Sequence, residues 1–174
     1  MGVIPFHRLG SLSKIFPMYR AVTILLLLAL LPAVCFAQAA PKGCFSKAEE
    51  TAEQIVRFGL RLREGARACE GKPWDAHTGA LWDQVDQRFG PRFAQQTEVR
   101  RRAFVREFSD DADNRLDRWN ARTVMFYRNY PVSEVYCAEV KGQMEHLLKA
   151  GWSVATKASK VAADAVRMDY RICP

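Results

Sequence analysis

Apolar and small residues recur every three or four positions over two long stretches of this chain, and no run of β-branched alternation occurs anywhere in its 174 residues. In the first stretch Ala48, Ala52, Ile55, Gly59, Leu62, Ala66 and Cys69 are spaced 4, 3, 4, 3, 4, 3, which is a heptad seam. Ser46 with Glu49 three residues on makes a capping box at its start, and Gly71 with Pro73 closes it. The spacing therefore predicts a helix from Ser46 to about Glu70.

The second stretch follows Pro131, with Ser133 as N-cap, and carries Cys137, Val140, Met144, Leu147, Gly151, Val154, Ala158, Val161, Ala165 and Met168 on one seam. The alternation of threes and fours does not slip, and Leu148, Ala155 and Ala162 widen the stripe to the face of a bundle helix, so one long last helix is expected. Its many Ala and Gly residues allow a neighbouring helix to approach closely. The sixty residues between are less regular. Leu81, Val85 and Phe89 predict a short helix stopped by Gly90-Pro91, after a loop over Trp74 to Thr78. A longer helical stretch runs from Arg92 to about Asn129, with Ser109-Asp110-Asp111 as a candidate interruption and fresh N-terminus. The expected fold is all-α, an antiparallel bundle of four or five helices.

What precedes the first seam is of a different kind. Ala21 to Ala37 is apolar, Arg8, Lys14 and Arg20 come before it, and no acid occurs ahead of Glu49. Basic region, apolar region and a small-residue exit predict a secretory signal peptide over 1–39, cut after Ala37 or Ala39. The run is about 17 residues, short of the ~20 a spanning helix needs, so no transmembrane anchor is expected in the mature chain, a single helical domain over 40–174. Met18 would also serve as the start. Cys35 closes the apolar run, but Val34 before it does not suit lipoprotein processing. Three basic residues leave with the leader, lowering the net charge from +7 to +4. With acids and bases interspersed, that is no nucleic-acid footprint, and none is expected as partner.

Cys44, Cys69, Cys137 and Cys173 remain and bracket the two seams. If the first and last helices run antiparallel, Cys69 at the end of one meets Cys137 at the start of the other, and Cys44 meets Cys173 at the far end. No C-x-x-C and no Cys/His ligand spacing occurs, so the thiols read as structural staples of an exported protein, with no metal or cofactor expected.

Candidate chemistry is sparse. Asp75 and His77 could form an oriented base, although no nucleophile accompanies them; the plainer reading is an Asp75 cap and an exposed His77. His146 lies off the seam. Asp110, Asp113 and Asp117 share one face if helical and could act as an acid cluster or hold a cation, but as first-turn acids they also suit the helix dipole. The arginines are the richer set. Arg100, Arg101, Arg102 and Arg106 form one group, and Arg115, Arg118 and Arg122 form a row beside Trp119. Guanidinium forks bind carboxylate or phosphate and stack on aromatics, so these eight residues are the candidate contact surface, against the plainer reading of a solvated charged face. Tyr127, Tyr130 and Tyr136 near Pro131 could add an aromatic zone. The expected function is an exported, periplasmic or secreted, non-enzymatic binding protein contacting another protein or an anionic envelope component. A small hydrolase using Asp75 and His77 or the Asp110 to Asp117 acids, and a non-covalent cofactor or metal bundle, are the alternatives.

Overall fold

Both halves of the Ser46 capping box form: the Ser46 hydroxyl accepts from the Glu49 N–H at 3.3 Å, and the Glu49 carboxylate accepts from the Ser46 N–H at 2.7 Å. They start α1 (Lys47–Cys69), which ends before Gly71 at φ 72°. In this computed structural model the described residues are 43–74, 77–163 and 170–174, with the backbone alone described for 160–163. The leader, its cleavage sites, Asp75 and the seam residues Ala165 and Met168 lie outside them.

After α1 come α2 (Thr78–Phe108), a 3₁₀ turn (Ser109–Asp111), α3 (Ala112–Arg128), α4 (Glu134–Ala150) and α5 (Ser153–Ala163). The described residues are thus all-α, and their one β-type pairing is an isolated parallel bridge between Phe45 and Ile172. α1 lies at the centre and packs on each of the other four helices. It is consequently buried on more than its seam: Glu53, Arg57 and Glu64 are interior along with Ile55, Phe58 and Leu62. Where the seam has Gly59, a Cβ would stand 2.9 Å from the Phe93 ring, so α1 and α2 approach closely there.

The helices depart from expectation at two points. Gly90-Pro91 does not end a helix; α2 runs through Pro91 for 31 residues. Proline forfeits one backbone hydrogen bond there. Phe89 and Phe93, four residues apart across the proline, both pack on Trp152, with ring centroids 5.9 and 4.9 Å away. Arg88 adds a 2.6 Å hydrogen bond from its guanidinium to the Leu148 carbonyl. A contact from the far end of the sequence therefore splints α2 across its weak point. The second departure supplies that splint. The expected last helix breaks at Gly151, which takes φ 83° and donates its N–H back to the Leu147 carbonyl. Non-glycine residues rarely adopt that conformation. The break frees Trp152 to reach α2, while Val154 and Ala155 on α5 stay buried. The interruption at Ser109 is present as the 3₁₀ turn, with Ser109 at φ 48°.

Both disulfides take the nested pairing, Cys44–Cys173 with Cα atoms 5.0 Å apart and Cys69–Cys137 with Cα atoms 5.6 Å apart. Two apolar clusters accompany them. One gathers Phe58, Leu62, Val85, Phe89, Val140, Met144 and Leu147 about Cys69–Cys137. The other packs Phe45, Phe104, Leu116 and Trp119 with Tyr170 and Ile172 of the C-terminal segment, next to Cys44–Cys173.

Candidate functional site

α3 starts from the 3₁₀ turn and divides its residues cleanly. Ala112, Leu116, Trp119, Thr123 and Tyr127, spaced 4, 3, 4 and 4, are buried, while Arg115, Arg118 and Arg122 fall on the outer face. Asp111 receives the Arg115 Nε at 2.7 Å and lies 3.5 Å from the Arg118 guanidinium. The hydrogen bond from Arg115 holds the Asp111 carboxyl below its ordinary range. Arg115 also lies over the Phe108 ring at 4.6 Å, and Arg122 over the Trp119 ring at 4.6 Å. Stacking of this kind fixes the plane of each guanidinium.

Trp119 is itself held from inside. Its indole N–H donates to Glu53 at 2.7 Å, and the Arg57 guanidinium covers the ring at 5.1 Å, so the indole lies between two arginines. Glu53 also accepts from Arg57 at 2.7 Å and from Arg100 at 3.1 Å, and Arg100 reaches Asn120 at 2.5 Å. A carboxylate at 3 % exposure needs such compensation, and two guanidiniums and an indole provide it.

The third wall comes from the other end of the chain. Tyr170 packs on Trp119 at 5.3 Å and on Phe104 at 5.1 Å. Its segment is tied down by Cys44–Cys173 and by two backbone bonds of 2.8 Å, Phe45 N–H to the Arg171 carbonyl and Cys173 N–H to the Phe45 carbonyl. Arg115, Arg118, Trp119, Arg122 and Tyr170 together line a cleft of about 330 Å³. Beside it, Arg122 also lines a shallow groove of about 520 Å³ with Met125, Phe126, Asn129, Tyr130 and Pro131. Phe126, Met125 and Tyr130 are exposed there to between 37 and 48 %. A third cavity, about 240 Å³ between α1 and α2, is walled by Val56, Gly59, Trp82 and Phe93.

The eight residues singled out in the sequence therefore separate. Arg100 is buried on Glu53, and Trp119 is a floor held from within, so neither belongs to an open contact surface. The reason is rotational: α2 turns one of three consecutive arginines inward, and α3 does the same with its tryptophan. Arg106 is a clamp. It pairs with Glu49, donates to the Cys44 carbonyl at 2.9 Å and to Glu107 at 2.7 Å, and Glu107 accepts from the Gly43 N–H at 2.6 Å. Burial works against the Glu49 charge, but the Arg106 and Ser46 hydrogen bonds outweigh it and lower its pKa. Arg101 and Arg102 are exposed and share Glu98, at 2.8 and 3.8 Å. Arg115, Arg118 and Arg122 are the three that meet around one volume.

Of the tyrosines, Tyr130 is exposed whereas Tyr127 and Tyr136 are core residues, and burial pushes the Tyr127 hydroxyl up to about 12. His77 precedes α2 in a left-handed conformation, exposed and without a side-chain cap bond; the Glu70 carboxylate caps α2 instead, accepting from the Gly79 N–H at 2.6 Å. Asp110, Asp113 and Asp117 are exposed and line neither the cleft, the groove nor the third cavity. Among the described residues, no group of three or more His, Cys, Asp or Glu side chains is placed to hold a metal ion. No described helix is long and apolar enough to cross a membrane. Sequence reading missed Glu53 and Tyr170. For Glu53 the signal was Arg57 one turn on, and for Tyr170 it was proximity to the Cys173 staple. Compared with protein families, with characterised proteins and with solved structures, the chain matches none.

Proposed function

We propose that this chain is an exported, disulfide-stapled helical binding protein, periplasmic or secreted, that captures an anionic partner through the outer face of α3. The observation that carries the reading is the convergence of Arg115, Arg118 and Arg122 on one cleft whose floor is fixed. Two of the three guanidiniums are stacked on rings, so less side-chain entropy is lost when they engage an oxyanion. The basic-apolar leader and four paired cysteines support export. Such a face acts by charge-assisted hydrogen bonding, and long-range attraction brings the partner in, so capture weakens as salt rises.

The test is affinity capture from envelope extract with the oxidised mature protein, at low and high salt, beside a variant carrying Arg115→Glu, Arg118→Glu and Arg122→Glu. All three side chains are on the outer face, so the variant is expected to fold and to lose the salt-sensitive partner. Full capture by the charge-reversed protein would refute the assignment of this face.

A further inference from the structure

Arg122 belongs to two surfaces at once: the cationic cleft with Arg115, Arg118, Trp119 and Tyr170, and the apolar groove with Met125, Phe126, Tyr130 and Pro131. Resting on the anion-binding reading above, we infer that the combined site takes a phosphate-bearing amphiphile, its head in the cleft and its apolar body along the groove. Arg115 and Arg118, which share Asp111, line one volume with Arg122, and guanidiniums arriving from three positions suit an acceptor whose oxygens point apart, as in a phosphate monoester, better than a planar carboxylate with two. About 330 Å³ exceeds a bare phosphate and accommodates a head carrying further atoms. The groove begins where the cleft ends, because α3 advances about 1.5 Å per residue and Met125 and Phe126 follow Arg122 by one turn. Met125, 48 % exposed, adds a flexible thioether that adapts to an irregular apolar chain. An apolar surface running out from a cationic pocket recognises a molecule with that same division.

Isothermal titration of the oxidised mature chain with monomeric dodecyl phosphate, inorganic phosphate and dodecanoate tests the inference. Dodecyl phosphate is expected to bind tightest, about tenfold or more above inorganic phosphate, since burying two methylenes alone accounts for that factor. Arg115→Glu with Arg118→Glu is expected to weaken both phosphates, and Met125→Ser with Phe126→Ser to bring dodecyl phosphate down to inorganic phosphate. Co-sedimentation with phosphatidylcholine vesicles, with and without phosphatidic acid, separates the sources. Pelleting with phosphatidic acid identifies a bilayer headgroup, and binding of the monomer alone identifies a free amphiphile. Equal affinity for dodecanoate, or indifference to both pairs of substitutions, would overturn the inference. Arginine-dependent capture of a protein without binding of dodecyl phosphate would overturn it and leave the anion-binding reading intact, whereas capture by the charge-reversed chain would remove that reading itself.

Discussion

The two ends of the bundle are each closed by a disulfide beside an apolar cluster, yet they differ in how much charge is buried with it. Around Cys69–Cys137 the interior is mainly aliphatic and aromatic, with both cysteines at 3 % exposure or less and Glu64 the buried charge, paired outward with Arg63 and Arg128. Around Cys44–Cys173 the half-exposed bridge sits beside ionic clamps: Arg106 between Glu49, Glu107 and the Cys44 carbonyl, and Glu53 between Arg57, Arg100 and Trp119. Loop length does not separate them. Sequence separations of 129 and 68 differ by a chain-entropy contribution of only about 0.6 kcal/mol. Surroundings therefore decide what each bridge does. An apolar end gives stability through area, whereas directional bonds at the polar end fix where side chains point, which a binding surface requires.

The most damaging change at the polar end is expected to be Glu53→Ala. It strands the Arg57 and Arg100 guanidiniums in the interior and should cost about 3 to 5 kcal/mol in urea unfolding. Leu62→Ala, the matching deletion at the apolar end, is expected to cost about 2 to 5 kcal/mol. The two should separate by spectroscopy: Glu53→Ala shifts the Trp119 indole N–H resonance, and Leu62→Ala leaves it in place.

Next come the bridges. Replacing Cys69 and Cys137 with alanine is expected to lower stability by about 2 to 5 kcal/mol. Replacing Cys44 and Cys173 with serine is expected to cost less, because residues 170–174 can then open locally while the helices stay packed. Hydrogen exchange checks this through the Phe45 and Cys173 amides, which should lose protection in that variant alone. Global unfolding at equal denaturant in both variants would erase the distinction.

The smallest effect is a pH dependence. The Glu49 pKa is lowered in the folded chain from an ordinary 4.5, so the stability from its pairing with Arg106 is full above about 4.5 and falls as pH drops through the folded value. Acid titration should therefore release protection at the Ser46 amide, which donates to Glu49, before the Cys69–Cys137 end responds. An Arg106→Gln variant should lack that early step.

The same contrast explains what could be read from the sequence. Ser46-x-x-Glu49 and the seam of α1 gave the first helix, and antiparallel geometry gave the cysteine pairing, because both follow from local spacing. Pro91 misled because its remedy, Trp152, lies sixty residues away and is invisible to any local window. Gly151 misled because glycine fits a close-packed seam and a helix end equally well, and the apolar period resumes after it. Within the candidate site, Arg115, Arg118 and Arg122 were legible as a row at helical spacing. Arg100 and Trp119 were not legible as interior residues, since only the packing of α1 against α2 and α3 brings Glu53 to meet them. Charge inside a bundle reads as charge outside it until a partner on another helix is known.

The division of labour between the ends is tested most directly by comparing salt-sensitive capture of the proposed anionic partner by the two disulfide variants, at a temperature where circular dichroism shows both folded. The expected result is weakened capture by Cys44→Ser/Cys173→Ser, which loosens the Tyr170 wall of the cleft, and undiminished capture by Cys69→Ala/Cys137→Ala. Undiminished capture without the Cys44–Cys173 bridge, in a chain whose Phe45 and Cys173 amides exchange freely, would contradict it.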